Sequence, residues 1–278
     1  MTWNLSNPKK AAALEAEFMS LGIDYTQPGF CDSNEFLRVE QDNPRVLELY
    51  AAYIEARSYS DEYLTDARNK IEVVANAVSA AVEADGRLGA CIDSSMIIGR
   101  MLDKLGVWNY VSKACMTIRY PDGSALKPSY FFGIDTGNFS APHAIVVAPP
   151  FYVIDVTAKY QQYTANQTDY IPAKVLVDDF HEGAWGYEDL ASPAIRNLAA
   201  MQRMSLQEYV QHRHGNMLEV SRLLPARVAP SMTADHATIT YINVAIGACI
   251  ELLEGITGYQ PCGRSALKIF EEDVLTKL

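Results

Sequence analysis

Apolar residues recur at three- and four-residue steps through the first third of the chain. Between 67 and 84, Ile71, Val74, Ala75, Val78 and Val82 keep that spacing and the run stops at Asp85-Gly86. This predicts an amphipathic helix with glycine at its C-terminal end. An Ala- and Glu-rich stretch at 11–21 ends the same way at Gly22. Pro44 is placed to open a further helix at its first position, with Val46, Leu47, Leu49, Tyr50 and Ile54 as its apolar stripe.

After Gly86 the texture changes. Gly89-Ala90-Cys91-Ile92-Asp93-Ser94-Ser95 leads into a mostly apolar run that stops at Gly106, which predicts a helix headed by Cys91. Strand-like runs at 111–120 and 128–134 flank the turn Pro121-Asp122-Gly123. Two more, at 144–148 and 151–156, flank Pro149-Pro150. From about Ser192 the pattern reads as helical again, at 194–203, 206–214, 238–253 and 265–277. The expected class is α+β: a Cys-headed helix on an antiparallel sheet, with helical extensions at both ends. The expected division is 1–65, 66–180 and 181–278, packed as one compact unit because no Gly/Ser- or Pro-rich linker separates them.

Composition narrows the function. The 278 residues carry 23 Lys+Arg against 34 Asp+Glu, a formal net charge of −11. That surface repels phosphate backbones and anionic lipid, so neither nucleic acid nor membrane is an expected partner. The cysteines, Cys31, Cys91, Cys115, Cys249 and Cys262, are odd in number and scattered, without a CxxC pair. They form neither a disulfide framework nor a zinc cluster, so reduced thiols in a cytoplasmic protein are expected. Residues 1–10 lack the basic-then-apolar order of a signal peptide, and no apolar run reaches the ~20 residues of a membrane helix. No glycine-rich phosphate loop is present, so no nucleotide cofactor is expected, nor is a metal.

The candidate chemistry gathers on three residues. Cys91 stands where a small-residue turn enters a helix, so first-turn N–H groups and the helix dipole favour its thiolate. The same N–H groups suit a developing oxyanion. His143 begins a strand and Asp155 lies in the next. A hairpin through Pro149-Pro150 would set the two side by side, giving nucleophile, base and orienting carboxylate. Taken singly, each has a plainer reading: a small core thiol, a structural histidine, a strand-end cap. Their order along the chain raises them above it.

In that order the chain resembles the transglutaminase-like superfamily, circularly rearranged relatives of papain. The likeness covers roughly residues 86–160. It rests on Gly89-Ala90-Cys91 running to Leu105-Gly106, on His143-Ala144-Ile145-Val146-Val147, and on Tyr152-Val153-Ile154-Asp155-Val156-Thr157. Ile145 stands where a Trp often follows the family's His-Ala, and Asp-Val-Thr replaces its frequent Asp-Pro-Thr. No side chain is evident that would complete the oxyanion hole. The resemblance implies a cysteine-dependent acyl-transfer enzyme that forms or breaks amides or thioesters through a Cys91 acyl-enzyme. A peptidase or amidase of the same fold and a non-catalytic binding module are the alternatives. The expected partner is a small-molecule, peptide or carrier-protein-bound acyl substrate.

Substrate contacts are expected from Phe139, in a polar loop just before His143, and from Tyr130 and Phe132, which strand alternation puts on one side. Rival signals are weaker. Cys31 also follows a turn, but no His/Asp strand pair comes close behind it. Asp135-Thr136-Gly137 is a single half-site where an aspartic-protease mechanism needs two. His212 and His214 have no third ligand nearby, and Asp178, Asp179 and Glu182 read as surface charge.

Overall fold

A computed structural model describes residues 3–136, 142–231, 233, 235–247 and 251–278. Five helices come first: α1 (Pro8–Ser20), α2 (Asn34–Asp42), α3 (Val46–Ala56), α4 (Asp61–Asp85) and α5 (Cys91–Lys104). Strands β1 (Tyr110–Arg119), β2 (Ser129–Phe131), β3 (His143–Ala148), β4 (Phe151–Asp155) and β5 (Val175–Val177) follow. After them come α6 (Tyr187–Leu190), α7 (Pro193–Met201), α8 (Leu206–Arg213), α9 (Gly215–Leu223), β6 (Arg227–Ala229), β7 (Thr238–Gly247) and α10 (Ala266–Ile269). The class is α+β. No helix among the described residues is long and apolar enough to cross a membrane.

The helix that carries the strongest periodic signal is built as its sequence dictates. The Ser60 side chain accepts the Tyr63 N–H to cap α4, and Asp61 and Glu62 sit in its first turn, where the dipole favours them. Leu64, Ala67, Ile71, Val74, Ala75, Val78 and Val82 are all buried, and Gly86 ends the helix at φ +68°. Alongside it, α5 buries Ile97, Ile98, Met101 and Leu102. Gly99 lets α5 lie close to β1: a Cβ there would come 3.1 Å from Asn109 Oδ1 and 3.2 Å from a Val111 methyl.

The sheet runs in the order β5-β4-β3-β1-β7-β6, antiparallel throughout, with β2 also paired to β1. Two strands share one edge of β1. Its first half pairs with β3, ending at Ala114 opposite His143, and its second half pairs with β2, starting at Met116 opposite Phe131. His143 therefore sits where that edge changes partner.

The sheet curls nearly into a barrel. Tyr241 on β7 donates to Asp155 on β4, three strands away in pairing order, at 2.9 Å. On a flat sheet that separation would be about 14 Å, beyond any tyrosine. Both β4 and β5 also come within contact of β6. One face of the sheet packs with α1–α3 around Tyr110, Met116, Ile145, Val147 and Tyr241. On the other face, α4, α5 and α10 cover Val146, Ala148 and Ile154, while α6–α9 cover Cys115, Ile242 and Val244.

One expectation is overturned. The segment 238–253 was expected to be helical, but Thr238–Gly247 is a strand, paired along β1 on one side and β6 on the other. It is rich in β-branched residues, and Thr238 and Thr240 alternate with Ile239 and Tyr241, a period of two that its apolar richness hides. The region read as a C-terminal helical extension thus supplies two strands of the sheet. The helical expectation at 265–277 is met only in part, since α10 gives way at Phe270 to a wider and then a tighter turn.

Candidate active site

Cys91 is delivered by a turn through Gly89, which holds φ +75° and donates its N–H to the Tyr160 carbonyl at 2.9 Å. Helix α5 begins without a side-chain cap, because Ala90 occupies the N-cap. By contrast Asn7, Ser33, Ser60, Ser192 and Ser205 cap α1, α2, α4, α7 and α8 with side-chain oxygens. The first-turn N–H groups of α5 are therefore left for another acceptor. Asp93, which would oppose negative charge there, is tied to Arg87 at 3.0 Å.

His143 and Asp155 meet across the β3–β4 hairpin, with Nε2 2.6 Å from Asp155 Oδ2. Five donors surround this carboxylate. Oδ2 also accepts the Tyr241 hydroxyl, and Oδ1 accepts the Thr157 N–H at 2.8 Å, the Thr157 hydroxyl at 3.1 Å and the Ala158 N–H at 2.9 Å. Such a group is an ionised acceptor, so the Nε2–H of His143 is the donor. That fixes the ring and leaves Nδ1 as the nitrogen available to the thiol. Nδ1 makes no regular hydrogen bond, although Cys91 acts on the ring as a hydrogen-bonding and charged neighbour. The thiol–imidazole contact is thus looser than the imidazole–carboxylate one, as in many unliganded catalytic pairs.

Charge at the three groups follows from these contacts. Burial alone disfavours the His143 cation. The charge and hydrogen bond of Asp155, with Cys91 behind them, outweigh it and push the imidazole up to about 10. Burial raises the Asp155 carboxyl, but His143, the Thr157 N–H and the Tyr241 hydroxyl bring it below its ordinary value. Burial also raises the Cys91 thiol, against which the His143 hydrogen bond and charge and the Ala144 N–H bring it net below its ordinary value. The combination favours a thiolate–imidazolium pair. All three groups are buried: Cys91 is 6% exposed, and His143 and Asp155 are 1% each.

Among the other sequence candidates, Tyr130 and Phe132 stack on one another at 5.3 Å, Tyr130 being exposed. The residue between them, Phe131, turns the other way, its ring 6.3 Å from that of His143. Phe139 lies outside the described residues. Cys31 sits in a single turn, Phe30–Asp32, with Tyr50 as neighbour. Asp135 accepts from Ser192 and Thr136 in a turn, and Asp178 pairs with Arg68. Cys115 is core: its sulfur accepts the Gly133 N–H, and burial pushes its thiol up to about 12. No group of three or more potential metal ligands occurs among the described residues. Sequence reading missed Phe131 and Tyr241. The alternation at 238–241 was the signal that could have placed Tyr241 on an inward strand position.

No family model matches this chain, and neither a curated protein nor a solved structure matches it.

Proposed function

We propose that the chain is a cysteine-dependent acyl-transfer enzyme with a transglutaminase-like core, using Cys91 as nucleophile, His143 as proton carrier and Asp155 as its orienting carboxylate. The observation that carries this reading is the convergence of a thiol at an uncapped helix start with an imidazole fixed at 2.6 Å by a five-donor carboxylate. In the proposed reaction the thiolate forms a C–S bond to an acyl carbon while the carbonyl electron pair moves onto oxygen. The N–H groups opening α5 hold that oxyanion. Its collapse expels the amine or thiol leaving group, which takes the proton from His143 Nδ1. The acceptor then returns a proton to Nδ1 as it attacks the thioester, and Cys91 leaves as thiolate. The acceptor is an amine or thiol in the transfer reaction, and water in the peptidase or amidase alternative. The acyl donor belongs to the small-molecule, peptide or carrier-bound class.

Iodoacetamide labelling at neutral pH, resolved by mass spectrometry, tests the reading. Cys91 is expected to alkylate at least about tenfold faster than the other four cysteines. Cys91→Ala is expected to abolish formation of a covalent acyl adduct from metabolite extract while leaving a folded chain. Uniformly slow labelling, or an adduct that survives Cys91→Ala, would overturn the proposal.

A further inference from the structure

We propose that Tyr241 is a positioning residue of this site. By donating to the same Asp155 oxygen that holds His143, its hydroxyl sets how strongly the carboxylate acts on the imidazolium and the sulfur, and so the pH range in which Cys91 reacts. The proposal rests on the reading of Cys91, His143 and Asp155 given above.

The geometry separates the two carboxylate oxygens. Oδ1 is taken up by its own loop, through Thr157 and Ala158. Oδ2 has two partners from different strands, His143 of β3 and Tyr241 of β7. They share one oxygen, so density drawn toward the phenol is withheld from the imidazole. The Tyr241 ring is fully buried and lies 6.2 Å from that of His143. A phenylalanine would fill nearly the same volume without a hydroxyl to satisfy. The hydroxyl gives Asp155 something that packing does not require.

The ionisable neighbours are few. His143 and Tyr241 touch Asp155 directly, and Cys91 of α5 acts on it through the imidazole. Tyr163, beyond β4, faces both Asp155 and Tyr241, and its hydroxyl is committed to the Ala158 carbonyl. On β6, Arg227 pairs opposite Tyr241 in the ladder, but its charge is held by Glu55 and Tyr110. Among the described residues, Tyr241 is thus the neutral donor on the oxygen that holds His143, and its removal changes the charge on that oxygen without breaking another charge pair.

The sign follows. Asp155 raises the Cys91 thiol, opposing the effect of His143. The imidazole, raised by Asp155, is protonated on both sides of the Cys91 titration, so the carboxylate's firmer hold on it cancels; its fuller charge without the phenol then acts on the sulfur, and the thiolate forms at higher pH. The experiment is the pH dependence of Cys91 alkylation by iodoacetamide in the intact chain, wild type against Tyr241→Phe, with folding checked by thermal melt. The expected result is an acid limb moved upward by about half to one pH unit, equivalent to a three- to tenfold slower reaction at fixed pH on that limb. Superimposable profiles would overturn the proposal and leave Tyr241 a satisfied core hydroxyl. If Tyr241→Phe fails to fold, 3-fluorotyrosine at 241 keeps the shape and donates more strongly. The limb should then move to lower pH, and an unmoved limb overturns the proposal equally. Failure of the wild type to label selectively at Cys91 would instead overturn the parent reading, so the two failures are told apart.

Discussion

Two buried polar clusters lie against the same curved sheet, and only one of them sets a thiol beside its cation-forming side chain. In the first, Glu55 of α3 accepts from Arg227 of β6 and from Tyr110 of β1 at 2.6 Å. Arg227 also reaches Tyr110 at 3.0 Å and Asn243 at 3.4 Å. In the second, Asp155 gathers His143, Tyr241 and the Thr157 loop. Both contain a carboxylate, a cation-forming side chain and a tyrosine. In the first, the guanidinium keeps its proton at any working pH, and the hydroxyls beside it, Tyr110 and Ser112, are committed to Glu55 and Asn243. The second holds one face of an imidazole firmly and leaves the other, Nδ1, without a regular bond beside a thiol. A buried ion pair alone is therefore no sign of a catalytic site. The sign is a transferable proton with one committed and one open neighbour.

Breaking the first cluster should have the largest effect on stability. Glu55→Ala leaves Arg227 buried without its carboxylate, which costs about 3–5 kcal/mol. Urea denaturation at pH 7 would show it. Selective alkylation of Cys91 should persist wherever the variant remains folded, because among the described residues no side-chain hydrogen bond joins the first cluster to the second. Loss of Cys91 selectivity in a folded Glu55→Ala chain would mean that the clusters form one network and would end the comparison.

A second test uses pH. The folded-state value of His143 is raised to about 10 from an ordinary 6.5. The stability it contributes is fully present below the ordinary value and is lost as pH rises through about 10. Asp155 is lowered, so its contribution is present above its ordinary 3.8 and is lost as pH falls through its folded-state value. His143→Gln should therefore shrink the drop in melting temperature between pH 7 and pH 10.5 relative to wild type. An equal drop in both proteins would show that the imidazole is not held as a cation.

How much of this was legible beforehand can be read from individual residues. Cys91, His143 and Asp155 could be singled out because each lies within or beside a local pattern: a glycine turn into a helix, or two strands about a Pro-Pro turn. Helix α4 was equally legible from its own spacing. Tyr241 was not, since its partner lies 86 residues away. The contact exists only because the sheet curls, and curvature leaves no local spacing to read. The same holds for Arg227 and Glu55, 172 residues apart. The strand 238–247 was misread because its apolar density fits a buried helix as well as a buried strand. Phe131 was passed over for its neighbours because alternation groups Tyr130 with Phe132 without saying which side faces the histidine.

The smallest expected effect comes from trimming the carboxylate's support while keeping its frame. The Thr157 hydroxyl donates to Asp155 Oδ1 at 3.1 Å, beside two backbone N–H donors at 2.8 and 2.9 Å. Thr157→Val removes that hydroxyl, keeps the branched shape in a buried position and leaves both N–H donors in place. One lost hydrogen bond among five is worth about 1 kcal/mol in stability and no more than about fivefold in Cys91 alkylation rate. The sign with pH is also set. With one donor fewer, Asp155 is less strongly lowered, so its stabilising contribution fades at slightly higher pH on acidification. Urea melts at pH 7 and pH 4 should show a deficit that changes modestly between them. The Asp155 carboxylate is shared among five loop and strand donors, whereas the Glu55 carboxylate has two, Arg227 and Tyr110. If Thr157→Val proved as costly as Glu55→Ala, the support of Asp155 would rest on that one hydroxyl rather than be shared, and the contrast between the two clusters would fail.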